Sequence, residues 1–498
     1  MINLGIGIPF RRMGAGIDAQ AQAHYDRVIA DGGLIPSGLV GVNNFFTTVK
    51  AIYGTSDITT AISVGLDAQV LGYKLGAGAG TTSGQAAQKL YSCSGSSGDV
   101  EQTTAASQPL LLVHSGANYW FGSGVAGNFL STPNAAANQI TGDIEVYAKV
   151  SFNRFGAGTL SSSGVVGKWI GSNNNSSFIL YVNLVSKKIG YVFRVASTNL
   201  SNESVSAFTY AENQIFEIKM TRVASSGVVT ISTKLPSETN YTQLYQVTDT
   251  SGALNGGSCD VTVGNDFNGA TFMGIGANYK STLSNSIGGA PVVDFNPNQY
   301  NAATSQTQWT STTGEVWTIN TGTATGGYKG LIVDKTYIQN DGVDDFLIAT
   351  TSGSGIKSQY FTHKVLSGSG GVPFGLWTGS AFSQSFYYPS GSQYGFYQSG
   401  PQDGPFGVNV FGTKKLRVSG AVGGTGTNWI PFQDGVDVSN GGANIGSSTS
   451  YTSIRIGVRG NDTGYDNGIV GNYIISGQAD TAPQRTAMQA LLKTISNL

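Results

Sequence analysis

The chain has 498 residues and a formal charge of −1, with Gly at 71 positions and charged residues making up only 11%. That length needs more than one hydrophobic core, and a near-neutral charge without clustered Lys or Arg excludes a nucleic-acid or anionic-membrane surface. Disorder is excluded as well, because 40% of the residues are hydrophobic and no excess of one charge holds the chain open. The glycines keep no collagen-like period and fall between apolar stretches, where tight turns and close sheet contacts call for them. No apolar run approaches the ~20 residues of a spanning helix. Arg11 and Arg12 follow the apolar stretch 2–10, the reverse of a secretory signal, so synthesis and folding in a cytoplasm are expected.

In chain order, Asp18 is placed to cap a helix running to Asp31 and ended by Gly32-Gly33. Pro36 and Ser37 open a second helix, in which Val42, Phe45, Phe46, Val49, Ile52 and Tyr53 recur at spacings of three and four until Gly54. A weaker helical piece covers 58–64. Three short helices sharing one apolar stripe make a poor core alone, so residues 1–100 are expected as a small helical unit that docks on a neighbour. The Gly/Ala run at 76–80 and Cys93-Ser-Gly-Ser-Ser-Gly98 mark its exit.

From about 103 the pattern turns to strands. Ile144, Val146, Ala148, Val150 and Phe152 alternate with Glu145, Tyr147, Lys149 and Ser151, the period of a half-buried strand. Strands at 164–170, 177–183 and 188–196 follow at hairpin spacing with no helix between them. We read these four as a meander whose apolar face must pack on a second sheet. Strands at 215–223, 228–235, 241–247, 271–276 and 290–295 complete a β-sandwich over 101–325, with Trp317 and Ile319 in a segment that clasps its surface. Residues 326–498 repeat this grammar, with strands at 359–366, 382–388, 394–398, 414–419, 429–432, 454–458 and 469–475. Thr481 then caps a terminal helix with Met488, Leu491, Leu492 and Ile495 on one side. The expected fold is mainly β: two antiparallel β-sandwiches preceded by a small α-helical domain.

Few residues invite chemistry. Cys93 and Cys259 read as buried small apolar residues in preference to a disulfide. His24, His114 and His363 sit in unrelated contexts, which a metal or triad site does not favour. Glu residues stop at Glu315, so the second sandwich lacks the Glu pair that glycoside hydrolysis commonly uses, and no enzymatic activity is expected. Asp341, Asp344 and Asp345 are the first candidate for a calcium site. Asp260, Asp266, Asn265 and Asn268 are another, and Asn461, Asp462 and Asp466 a third. Such side chains also serve turns simply by bonding the local backbone. Tyr387, Tyr388, Tyr394, Phe396 and Tyr397, together with Phe386, form the candidate ligand-binding patch, since aromatic rings suit the apolar faces of sugars. Core and subunit-contact packing is the competing reading.

Taken together, Gly127-Asn-Phe-Leu-Ser-Thr-Pro133, Ile140-Thr-Gly-Asp-Ile-Glu145 and Gly167-Lys-Trp169 resemble the laminin-G-like, concanavalin-type jelly-roll modules of bacteriophage virion proteins. Val292-Val-Asp-Phe-Asn-Pro297 and Thr313-Gly-Glu-Val-Trp-Thr-Ile-Asn320 are similar to the closing segment of those modules. Asp341-Gly-Val-Asp-Asp-Phe-Leu347 resembles an opening strand, and Tyr473-Ile-Ile-Ser with the last helix resembles the usual ending. Ala30-Asp-Gly-Gly33 and Leu71-Gly-Tyr-Lys74 resemble a helical domain that precedes such modules. The resemblance implies a virion surface, tail or spike protein that adheres to host-surface glycans through lectin-like sandwiches. It also implies other virion proteins as partners of the amino-terminal region, and a homotrimer. A purely architectural vertex, collar or decoration protein without a ligand is the alternative. An extracellular bacterial adhesin has the same fold but is expected to carry a signal sequence.

Overall fold

The structure is a computed structural model. It describes residues 16–76, 86–114, 116–123, 129–152, 155–156, 161–267, 271–300, 308–319, 331–333, 336–339, 347–349, 356–365, 374–377, 382–390, 393–398, 404–406, 417–423, 429–433, 436–437, 451–456, 468–478 and 480–495. The fold is mainly β, and every strand pairing among the described residues is antiparallel. Contacts divide it into two units.

The first unit is drawn from 16–76, 86–114 and 336–495. Its helices begin and end where the sequence puts them. Helix α1 (Ala19–Ala30) is capped by Asp18, whose carboxylate accepts from the Gln20 and Ala21 amides at 2.9 and 3.2 Å. Helix α2 (Gly38–Tyr53) stops at Gly54, which has the left-handed φ of +64° that glycine adopts without a steric cost. Helix α3 is only Ile58–Ala61; the chain then extends as strand Val64–Asp67, buried throughout. The terminal helix α4 (Ala482–Ile495) starts at Thr481, whose hydroxyl and carbonyl accept from the Gln484 and Arg485 amides.

These helices cover one sheet. Phe45, Phe46 and Val49 of α2 and Met488, Leu491 and Leu492 of α4 share a cluster with Tyr360 and Ile474 of that sheet. Its strand order is 436–437, 429–433, 417–423, 358–365, 468–476, 337–339, 110–112, with Val64–Asp67 also paired to Gly468–Ser476. The second sheet runs 73–75, 87–90, 100–101, 347–349, 453–456, 374–377, 382–390, 393–398, 404–406. Between the sheets lies a core that includes Leu66, Leu90, Phe361, Ile454 and Tyr473.

The expected boundaries at 100 and 325 therefore shift. The amino-terminal region is helical only to Ala61, and its strands from Val64 to Leu112 complete the sandwich of the carboxyl-terminal block. The physical reason is the one that made an independent helical domain unattractive: the apolar stripe needs a sheet to bury against.

The second unit, 116–333, is an insertion between Leu110–Leu112 and Tyr337–Gln339, which are hydrogen-bonded neighbours in the first. It is a complete sandwich. One sheet has the order 242–248, 228–234, 216–222, 144–151, 275–284, 119–123, 331–333, with Pro291–Phe295 against Ile275–Ser284. The other runs 198–203, 188–195, 178–183, 163–168, 261–263, 130–132, 316–319, 308–310. Strand Ile144–Ser151 alternates buried and half-buried residues as its sequence requires. It does not start a four-strand meander, however. It lies in the opposite sheet from the three strands that follow, and Val146, Ala148 and Val150 meet Leu180, Val182 and Phe193 across the core. Trp317 is no surface clasp either. Its strand is part of the sheet, the indole is fully buried, and Nε1 donates to the Asp294 carbonyl at 3.1 Å.

Candidate functional site

The inserted sandwich has two faces per sheet, and only one face of each fills the core. On the sheet that holds Phe178–Asn183, the residues Phe178, Leu180, Val182, Ile189, Tyr191 and Phe193 point inward. Their neighbours Ile179, Tyr181, Asn183, Gly190, Val192 and Arg194 occupy the other face. The register aligns these in rows: Tyr181 with Gly190 and Glu203, Ile179 with Val192 and Ser201, Arg194 with Asn199.

Three glycines keep this outer face low. A Cβ at Gly190 would fall 2.6 Å from the Tyr181 hydroxyl, one at Gly167 2.9 Å from the Ile179 Cβ, and one at Gly164 2.6 Å from the Phe272 carbonyl. Side chains and a loop therefore rest directly on backbone. Residues 264–267 and 271–274 lie against the face, fixed by Phe267 N–H to the Trp169 carbonyl (2.7 Å) and Gly164 N–H to the Phe272 carbonyl (3.2 Å). Gly264 and Gly274 both close on the Trp120 indole. Trp169, Ile179, Tyr181 and Val192 form a small apolar cluster separate from the main core, with half-buried Phe272 packed against it. The Tyr181 and Phe272 rings are 5.2 Å apart and tilted by 44°.

The result is a shallow groove. Phe272 borders one side of this groove face and exposed Ser201 the other, with Tyr181, Gly190 and Val192 buried between them, and the two ends differ in charge. At one end Glu203 accepts from the Tyr181 hydroxyl (3.3 Å) and the Asn183 amide (3.1 Å). Burial, and then Glu203 beside it, hold the Tyr181 phenol protonated well above the usual range. At the other end Arg194 Nη1 donates to Asn199 Oδ1 (2.8 Å) and Nη2 reaches Asn174 Oδ1 (3.5 Å). Asn199 donates on to Ser172 Oγ (2.6 Å). Gly190 to Arg194 is four residues of extended chain, about 13 Å.

The sites expected from sequence fare differently. Strands Phe382–Ser390 and Gln393–Gln398 are hydrogen-bonded neighbours, with Phe386 opposite Phe396 and Tyr387 opposite Gly395. Tyr387 and Tyr397 thus fall at register positions of one parity and Tyr394 and Phe396 at the other, while the side chains of the patch, Tyr388 included, lie outside what the structure describes. Asp341, Asp344 and Asp345 lie outside the described residues, as do Asn268, Asn461, Asp462 and Asp466. Asp266 accepts from the Thr271 amide (3.2 Å), the turn-bonding role, whereas Asp260 accepts from the amide of Asn134, on a segment distant in sequence (3.2 Å). Among the described residues no three His, Cys, Asp or Glu side chains gather as metal ligands. Both cysteines are buried and free. His24 is buried with Nε2 on the Leu71 carbonyl at 2.8 Å, and burial pushes its pKa down to about 4.

The groove residues Tyr181, Val192, Arg194, Glu203 and Phe272 escaped the sequence reading. Their signal was present: glycines at 164, 167 and 190 on one face of consecutive strands. Strand Thr198–Glu203, Thr-Asn-Leu-Ser-Asn-Glu, is too polar to be recognised as one.

No family model matches the chain, and no curated protein does. Similar solved structures include domains LG4-5 of the mouse laminin alpha1 chain, at 10% identity and a TM-score of 0.28, covering 75% of this chain and 96% of that one. Another is the CBM40 of the Ruminococcus gnavus IT-sialidase bound to alpha2,3 sialyllactose, at 8% identity and a TM-score of 0.26, covering 36% of this chain and 91% of that one. Trypanosoma rangeli sialidase in complex with sialic acid is similar at 10% identity and a TM-score of 0.27, covering 66% of this chain and 62% of that one. At these values the likenesses carry no argument about ligand or activity.

Proposed function

We propose that the inserted sandwich binds glycans in the groove between Phe272 and strand Thr198–Glu203, and that the chain is the host-attachment component of a bacteriophage virion. One observation carries the binding part. A second, sheet-supported layer of Trp169, Tyr181, Val192 and Phe272 is built on the face that the core does not use, with hydrogen-bonding groups at both ends. Apolar floor, aromatic wall and convergent polar groups are what a sugar ring needs. Binding, not turnover, is the reading: Glu203 is the one carboxylate on the groove floor among the described residues, and hydrolysis uses two facing each other.

The virion role rests on the resemblance of residues 127–145 and 292–320. Particle attachment is assigned to the helical layer, where Ile17, Ile29, Leu34 and Val40 are each about half exposed. A homotrimer then multiplies weak single-site contacts by avidity. A glycan array with the whole chain tests the binding. Signal that disappears in Phe272→Ala supports it, and a blank array favours an architectural component. Mass spectrometry of purified particles tests the virion role, and mass photometry the trimer.

A further inference from the structure

Among the described residues, Arg194 is a cation without an anion. Its guanidinium lies among amides and hydroxyls, Asn199, Asn174, Ser172 and Ser197, and no carboxylate among the described residues comes within ion-pair distance of it. Its Nε is buried and has no hydrogen-bond partner. The backbone on both sides is pinned, by Arg194 N–H to the Ser177 carbonyl (2.7 Å) and Asn255 N–H to the Arg194 carbonyl (2.8 Å). The side chain is thus held on the groove face, opposite Asn199 in register. The hairpin beside it, Ala196-Ser197, has φ of +45° and +71° at two non-glycine residues. This is the backbone a two-residue turn needs, normally supplied by Asn or Gly, and such strain persists where surrounding contacts over-determine it. Here it sets the Ser197 hydroxyl 3.4 Å from Asn174 Oδ1.

An arginine whose neighbours are all neutral keeps its full field for a ligand. Glu203, four residues along the groove by register, has the opposite sign and repels a second anion. We infer that the Arg194 end is a subsite for the carboxylate or sulfate of an acidic sugar, and that the groove selects glycans with one acidic unit flanked by neutral ones. The inference rests on the glycan-binding reading above and adds the charge and orientation of the ligand.

Calorimetry of the whole chain with three probes tests it: an oligosaccharide with one uronic acid, its neutral methyl ester, and a neutral oligosaccharide with one sulfate. The uronate or the sulfate should bind about tenfold or more tightly than the neutral parent, and which of the two does so names the anion. Arg194→Gln should remove that preference. Asn199→Asp, which gives Arg194 an internal counter-ion without breaking its contact, should remove it equally in a protein that melts no lower. Neutral and acidic probes binding alike overturn the inference while leaving the glycan-binding reading in place. So does a loss of both affinities in Arg194→Gln with Asn199→Asp retaining the preference. Absence of binding to every probe sinks both.

Discussion

The ring of Tyr181 occupies the space that a side chain on Gly190 would fill: a Cβ there would fall 2.6 Å from the phenol oxygen and 2.7 Å from Cε2. The two residues are opposite each other on adjacent strands, Tyr181 in Phe178–Asn183 and Gly190 in Lys188–Val195. An antiparallel pair normally presents two side chains at such a position. Here one is absent, and the other lies across its neighbour's backbone to reach Glu203.

Gly190→Ala is therefore expected to lift Tyr181 from the floor. Overpacking of this kind costs about 1–3 kcal/mol, and the Tyr181 to Glu203 hydrogen bond is lost with it. Thermal unfolding and near-ultraviolet circular dichroism should show a lower midpoint and a changed aromatic signal. Unchanged values in both would mean that the ring is free to move aside.

Phe272→Ala separates fold from groove. Phe272 is half-buried and packs on the edge of the small cluster, outside the main core. Its truncation should cost less than the ~3–5 kcal/mol of a core Phe while exposing Tyr181 and Val192. The expected outcome is a midpoint within a few degrees of wild type and glycan affinity reduced about tenfold. Retained affinity would show that Phe272 is not a wall of the site.

How much of this was legible depended on whether one residue's neighbours in sequence are also its neighbours in space. Asp18 and Gly54 announce the ends of helices α1 and α2 because caps act within a few residues. Strand Ile144–Ser151 is equally plain, since one face meets the core along its whole length. The helical piece read over 58–64 runs past its end at Ala61 because Ala61-Ile-Ser-Val64 is apolar with no marked period. Strand Val64–Asp67 pairs with Gly468–Ser476, in the last tenth of the chain, and no local signal reports such a pairing. The groove hid for a related reason. Tyr181 looked like one more alternating strand residue, and only the register with Gly190 makes it a floor.

Asp480 offers a test of the helix-backed sheet. It is buried, and Oδ2 accepts from the Tyr53 hydroxyl at 2.9 Å and from the Tyr360 hydroxyl, while its amide donates to Ser358 Oγ at 3.2 Å. Burial raises its pKa above the ordinary 3.8, although the hydrogen bonds and the charge of Arg485 oppose the rise. A carboxyl whose folded pKa is raised binds its proton longer in the native state. Stability is then lost as pH rises from about 4 through the folded value. Asp480→Asn keeps an acceptor for the tyrosines and removes the charge. Its stability relative to wild type should rise across that interval in urea unfolding series. Asp480→Ala, which strands two buried hydroxyls, should cost about 1–3 kcal/mol at every pH. Parallel curves for wild type and Asp480→Asn would refute the argument.

Lys168 carries the opposite sign, in the inserted sandwich. It is fully buried, and its ammonium donates to Asn134 Oδ1 (2.6 Å), Asn138 Oδ1 (2.8 Å) and the Asn138 carbonyl (3.1 Å). These acceptors satisfy its hydrogens without supplying a full charge. Burial pushes its pKa down from 10.5 to about 8, against the weaker pull of Cys259 and Asp260. Between those two values the unfolded chain holds a proton that the native state has given up, so Lys168 contributes stability that grows as pH rises from about 8 to 10.5. Cys259, pushed up to about 12 chiefly by burial, works the other way above about 9. Its slope is common to wild type and a Lys168→Met variant, and to first order it cancels in their difference. Lys168→Met leaves three acceptors unpaired and should be the less stable protein throughout. The gap measured by urea unfolding should widen between pH 8 and 10.5. A gap that stays constant over that range would mean that Lys168 remains charged in the native state, with a field from Asp260 strong enough to hold it so.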